Sequence, residues 1–329
     1  MQKIKFLAVI VCIVTLFACN NSKTNIESGS KSKDSKEELK GTISISGAFA
    51  LYPMTARWAE EFRKIYPNVR IDISAGGAGK GMTDALSGIV DLGMFSREIS
   101  DVEKAKGVWW IAATKDAVLP TINANSPVLD LVKKRGITRE EFIKLFITKE
   151  ITTWGELLAN KTMDNQKINI FTRSDACGAA QMWGQYLGKN QESLMGIGIF
   201  GDPGMADVVK NDLYGIGYNN VIYIYDIATR LKHQNLEVIP IDLNEDGAID
   251  KDELFYDSLD DIMEAIKDGK YPSPPARELY FVAKGKPENK AVIKFLKWVI
   301  TEGQVYVKEG GYVQLPEEKL AAELSKLSE

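Results

Sequence analysis

Apolar and polar positions recur along the chain in one order: a short β-branched run, a glycine-rich turn, then a stretch whose apolar residues fall three or four apart. Ile43–Ser46 leads into Gly47-Ala48-Phe49-Ala50-Leu51-Tyr52-Pro53 and a helix from about Thr55, with Trp58, Phe62 and Ile65 on one face and Pro67 as its stop. Val69-Arg70-Ile71-Asp72-Ile73 alternates as a half-buried strand does, and Gly76-Gly77-Ala78-Gly79-Lys80-Gly81 and a short helix through Leu86 follow it. Ile168–Phe171 precedes Thr172-Arg173-Ser174-Asp175-Ala176-Cys177-Gly178 and a helix through Leu187. Strands alternating with helices predict α/β layers with mostly parallel sheets. Each strand–glycine–helix unit offers unpaired backbone N–H groups and the positive end of a helix dipole, so three of them converging would make an anion site without a metal. The Gly76–Gly81 run lacks the Gly-Lys-Ser/Thr of a P-loop, which argues against a nucleotide.

The first forty residues follow a different pattern. Lys3 and Lys5 precede Phe6–Ala18, an apolar run of thirteen residues. That length suits the core of a signal peptide and falls short of the ~20 residues needed to span a bilayer. The run ends Leu16-Phe17-Ala18-Cys19, which resembles a bacterial lipobox with Cys19 as the lipidated first residue of the mature protein. From Asn20 to Lys40 only Ile26 and Leu39 are large and apolar, too few to repay ordering. As a flexible coil this segment would hold the body about 25 Å from its lipid. The expected layout is a lipoprotein signal peptide over 1–18, a lipidated Cys19 with its tether over 19–40, and a soluble body in the cell envelope, exported and anchored to a membrane.

Charge and cysteine usage narrow the function classes. Among 329 residues, 41 Lys and Arg stand against 45 Asp and Glu, and no basic block marks a nucleic-acid footprint. Removal of Lys3 and Lys5 with the leader takes the net charge from −4 to −6. His233 is the single histidine, which removes most histidine-ligated metals and most nucleophile–histidine constellations. With Cys12 cleaved off and Cys19 lipidated, Cys177 is the one free thiol of the body, and no His or Lys partner accompanies it in the sequence. The expectation is a monomer that binds rather than catalyses, with no nucleic-acid partner.

Several motifs in order resemble one family. Ser46–Pro53, Gly77–Gly81, Val90–Ile99 and Thr172–Gly178 are similar to the ligand loops of the phosphate-binding proteins of Pst-type ABC importers. Ile151-Thr152-Thr153-Trp154, Gly215-Ile216-Gly217-Tyr218, Gly269-Lys270-Tyr271-Pro272 and Arg277-Glu278-Leu279-Tyr280 look like further landmarks, so the similarity runs over about 41–315. The resemblance implies a two-lobed periplasmic-binding-protein (type II) α/β fold with two crossover strands and a ligand cleft between lobes. Lobe 1 would take 41–120 plus 276–329 and lobe 2 would take 121–275. It also implies phosphate or a similar small anion as ligand and an ABC importer permease as partner. Matching loops place the ligand at Ala50, Leu51, Gly77, Ala78, Ser96, Arg97, Arg173, Asp175, Cys177, Gly178 and Ala179. Arg173 is the foremost of these, since a guanidinium can give two parallel hydrogen bonds to an oxyanion, with Asp175 placed to hold it.

Departures from the family pattern keep a second reading open. Phosphate binders of this family usually carry Ser or Thr where this chain has Ala50, Ala78, Cys177 and Ala179. Hydrogen bonds to a charged group are worth roughly 1.5–3 kcal/mol each, so four uncompensated losses would weigh heavily against tight binding. Either backbone amides with Ser96, Arg97 and Arg173 suffice, or the cleft takes a less charged or thiophilic ligand beside Cys177. A membrane-anchored sensory or surface protein without a transporter is the alternative from another class.

A separate motif concerns a cation. Asp242-Leu243-Asn244-Glu245-Asp246-Gly247-Ala248-Ile249-Asp250-Lys251-Asp252-Glu253 matches the twelve-residue calcium loop, with oxygen donors at positions 1, 3, 5, 9 and 12, glycine at 6 and an apolar residue at 8. One structural Ca2+ would be held by Asp242, Asn244, Asp246, the Ala248 carbonyl, Asp250 and bidentate Glu253. Glu237–Ile241 ahead of the loop reads as a strand, so this is a lone loop and not half of a paired sensor.

Overall fold

A computed structural model describes residues 38–328. The expected signal peptide and Cys19, and most of the tether, lie outside the described residues.

Eleven strands carry the fold: β1 (Gly41–Gly47), β2 (Val69–Ala75), β3 (Leu92–Phe95), β4 (Val108–Asn123), β5 (Ile137–Thr138), β6 (Asn169–Arg173), β7 (Ile197–Ile199), β8 (Gly215–Asn220), β9 (Leu236–Val238), β10 (Ile241–Asp242) and β11 (Ala276–Lys284). Nine of them form one connected sheet whose main path runs β2-β1-β3-β11-β4-β8-β6-β7, with β9 against β4. In its first half β2, β1 and β3 are parallel; in its second half β8, β6 and β7 are parallel. The antiparallel strands β4 and β11 join the two halves.

β4 is the element that divides the molecule. Residues Val108–Ala117 lie against β11, and Val118–Ile122 lie against β8. Two hydrophobic cores form on either side of that change of partner. One gathers Ile43, Leu51, Trp58, Phe62, Phe95, Phe281 and Phe295; the other gathers Phe142, Phe146, Trp154, Trp183, Tyr218 and Ile262. The fold is a two-lobed α/β architecture joined through β4 and β11.

The three glycine-linked units appear as strand–helix pairs. β1 leads to helix Tyr52–Ile65, β2 to helix Ala78–Leu86, and β6 to helix Gly178–Tyr186. In the first helix Trp58 and Phe62 are fully buried, but Ile65 is 54% exposed. Its place in the last turn, next to Tyr66 and Pro67 where the chain turns away, carries it off the buried face that the spacing assigned to it. Helix Lys290–Ile300 packs on the first core, and Glu317–Ser325 is helical. Among the described residues no helix is long and apolar enough to cross a membrane.

Candidate functional site

Parallel strands place the loops at their C-terminal ends together, and the loops of the two lobes touch there. Gly79 N–H donates to Ala176 O at 3.0 Å, and Tyr223 Oη donates to Phe49 O at 3.1 Å. Phe49 packs edge-on against Phe200 at 6.1 Å between centroids. Two glycines are required by this approach. A Cβ at Gly178 would overlap the carbonyl and hydroxyl of Ser96, and one at Gly77 would sit 2.9 Å from Asp175 Oδ2 on a backbone with φ of +87°.

Arg173 lies at the centre with its side chain fully buried. Nε and Nη2 donate to the two oxygens of Asp175 at 2.8 and 2.6 Å, and Nη1 donates to Asp202 Oδ2 at 2.6 Å. Burial alone would lower the guanidinium's pKa, but the charge of Asp202 and the hydrogen bond and charge of Asp175 outweigh it and hold the group protonated. Three of its five N–H groups are engaged, which leaves one on each η nitrogen. The Phe49 ring covers one side, 5.8 Å from the guanidinium carbon. Because two carboxylates more than balance the single positive charge, an oxyanion here would be selected by donor placement more than by net charge.

Donors are plentiful at the loop ends. Among the described residues the N–H groups of Ala50, Gly77, Ala78, Gly178 and Ala179 have no hydrogen-bond partner, and neither does the Ser96 hydroxyl. Helices Tyr52–Ile65 and Ala78–Leu86 receive no side-chain cap. Uncapped N-termini in a buried position are uncommon without a ligand to satisfy them. Leu51 differs from the expectation, since its N–H is already given to Ala48 O at 3.2 Å.

Cys177 caps helix Gly178–Tyr186, its sulfur accepting from Ala180 N–H at 3.4 Å. Burial pushes the thiol up to about 12, and the nearby Arg173 charge only partly opposes this. The sulfur is therefore a protonated cap. Gln191 braces the same loop, accepting from Cys177 N–H at 3.1 Å and donating to Asp175 O at 2.8 Å.

Arg97 does not join Ser96 in the cleft. Its guanidinium turns to Glu103 at 2.7 and 3.0 Å and lies over the Phe95 ring. The cause is local: Ser100 and Glu103 form a capping box at helix Asp101–Ala105, which fixes the Glu103 carboxylate within reach.

Four further residues complete the site. Asp202 Oδ1 accepts from Asn220 Nδ2 at 2.5 Å, and Asn220 Oδ1 in turn accepts from Arg277 Nη2. Arg277 Nε stands 3.1 Å from Asp116 Oδ1 in a buried ion pair, and Nη2 donates to Asp116 Oδ2 at 3.4 Å. A buried polar chain thus runs from the crossover strands, Asp116 on β4 and Arg277 on β11, to the arginine at the cleft. Asp202 was within reach of sequence reasoning: Ile197–Phe200 and Gly201-Asp202-Pro203-Gly204 form a fourth strand–glycine–helix unit. The residues of the Asp242–Glu253 loop lie elsewhere, against the Lys134–Thr138 segment.

A family model described as a PBP superfamily domain matches residues 32–302. The phosphate-binding protein PstS of Pseudomonas aeruginosa is 26% identical over 304 residues, covering 84% of each chain. PstS of Bacillus subtilis is 27% identical over 212 residues, 64% of this chain and 67% of that one. Among solved structures, a substrate-binding protein from Clostridium perfringens with bound phosphate has a TM-score of 0.68 at 20% identity, covering 84% of this chain and 100% of that one. An ABC-type phosphate transport receptor from Vibrio cholerae has a TM-score of 0.59 at 16% identity, covering 83% and 100%. These two structures bear on the fold alone.

Proposed function

The chain belongs to the PBP superfamily, and from that premise we propose that it captures phosphate or a closely similar oxyanion outside the cytoplasm and delivers it to an ABC importer. The observation that carries this reading is the set of unpaired donors at the lobe interface. Five backbone N–H groups, the Ser96 hydroxyl and two N–H groups of Arg173 stand free where the loops of both lobes meet. Backbone donors do not depend on side-chain identity, so they answer for the hydroxyls absent at Ala50, Ala78, Cys177 and Ala179. The names of the PstS relatives support phosphate as the ligand to try first.

In this reading the ligand lies between the lobes and its contacts to both favour the closed form, which an importer permease would recognise. The protein acts as a monomer and performs no chemistry on its ligand. Anchoring through Cys19 would hold it beside that permease.

Calorimetric titration of phosphate into the ligand-free chain tests the proposal. One phosphate per chain is expected. Arg173→Met should weaken binding at least about a hundredfold, given charged hydrogen bonds of roughly 1.5–3 kcal/mol each. Ser96→Ala leaves every ion pair intact and should cost about tenfold. A folded, ligand-free chain that gives no heat with phosphate refutes the phosphate assignment.

A further inference from the structure

The Asp242–Glu253 loop contains two buried carboxylates that the anion site does not use. Asp242 is 2% exposed and Glu253 is 3% exposed. Neither has a lysine, arginine or histidine ion-pair partner among the described residues. Asp242 Oδ2 accepts from Gly247 N–H at 2.9 Å, but Asp242 Oδ1 is buried without any hydrogen-bond partner. Glu253 accepts from Leu243 N–H at 2.6 Å and Asp250 N–H at 3.2 Å. An ionised carboxylate withdrawn from water and left without countercharge is costly, and an orphaned oxygen on it more so.

A divalent cation supplies what these two residues lack. They stand at the first and last positions of the twelve-residue loop, and the other oxygens needed are on the chain between them. Asn244 Nδ2 donates to Asp246 Oδ2 at 3.2 Å and to Asp250 Oδ2 at 3.4 Å, so one amide holds both carboxylates to the same centre. Among the described residues no three His, Cys, Asp or Glu side chains are already gathered as a metal cage. Binding therefore requires the loop's carboxylates to draw in around a common point, and the Asn244 amide to rotate and present its oxygen in place of its nitrogen.

We propose that Asp242–Glu253 is a calcium site, in which Asp242, Asn244, Asp246, the Ala248 carbonyl, Asp250 and bidentate Glu253 surround one ion. Calcium suits this set, since it accepts six to eight oxygens in flexible geometry including a bidentate carboxylate, whereas magnesium demands a near-ideal octahedron and keeps its waters. Ile249 at position 8 gives its N–H to Lys134 O at 2.9 Å, so the loop leans on the end of helix Leu129–Arg135 in place of a second calcium loop. The ion fastens the loop, and β10 with it, to β5 of the second lobe.

The test is titration of calcium chloride into the chelator-stripped full chain in phosphate-free buffer, by calorimetry and by thermal unfolding. One Ca2+ per chain is expected, with a dissociation constant of about 10⁻³ M or tighter and a rise in Tm. Asp246→Asn, at an exposed position, and Glu253→Gln should each weaken binding at least about tenfold while phosphate binding stays unchanged. If Glu253→Gln fails to fold, Asp246→Asn decides alone. Three results would overturn the proposal: no heat and no Tm change up to ~10 mM calcium, an equal response to magnesium, or unchanged calcium affinity in the folded variants.

Discussion

Around Arg173 most partners are far away in the chain. Asp202 lies 29 residues on, Arg277 reaches Asn220 across 57 residues, and Arg277 meets Asp116 across 161. In the Asp242–Glu253 loop the side-chain hydrogen bonds span at most ten residues, and only the backbone reaches further, through the pairing of Asp242 with Thr138 on β5 and the bond from Ile249 N–H to Lys134 O. One region is assembled by the whole fold and the other by its own short sequence. A change in the first should spread into global stability, while a change in the second should stay local.

The largest effect is expected where the long-range assembly loses a charge. Above about pH 7, where Asp116 is ionised, Arg277→Ala leaves it buried without its partner, and breaking a buried pair in this way costs about 3–5 kcal/mol. In a chain of this size that is on the order of 10 °C in Tm, read by calorimetry. Calcium affinity should be unchanged in the same variant. An Arg277→Ala protein with wild-type Tm would break the contrast, because the buried chain would then contribute nothing to the fold.

A second, smaller effect comes from proton linkage at the same pair. Burial pushes Asp116 up to about 7, with Arg277 opposing the rise and Asp202 adding to it. Unfolded, the group ionises near the ordinary carboxylate value of about 4. Between those two values the folded chain keeps a proton that the unfolded chain has lost. This contribution is therefore fully present below about pH 4 and fades as pH rises to about 7. Asp116→Asn should flatten the fall in stability over that window, measured by denaturant unfolding at several pH values. An unaltered pH profile in Asp116→Asn would show that the carboxylate ionises freely in the fold.

The same contrast accounts for what could be read from the sequence. Both the three glycine turns and the calcium motif are local patterns, and the turns do lie between a strand and a helix. Asp175 beside Arg173 was legible for that reason, being two residues away. Asn220, Arg277 and Asp116 were not assigned to the site, because nothing in spacing reveals that separate elements meet there, whereas Asp202 did carry a local signal in its strand–glycine–helix unit. Arg97 is the converse case. Its neighbour Ser96 faces Gly178, so adjacency suggested a shared role, yet successive residues leaving a strand point apart and Glu103 captured the guanidinium. The Ser100-x-x-Glu103 capping signature was the available clue.

The smallest effect should be the most confined. Gly247 sits at position 6 of the acidic loop with φ of +83°, and a Cβ there would meet no atom within 4 Å. Gly247→Ala therefore costs only the backbone strain of a left-handed residue, roughly 1–2 kcal/mol, and no packing clash. If that strain falls on the bound conformation, calcium affinity drops by about 5–30-fold, since 1.4 kcal/mol is tenfold. Phosphate affinity should not move, because none of the donors around Arg173 hydrogen-bonds to this loop. A matching loss of phosphate affinity in Gly247→Ala would mean that the loop is coupled to the cleft, and that its short-range bonding does not isolate it.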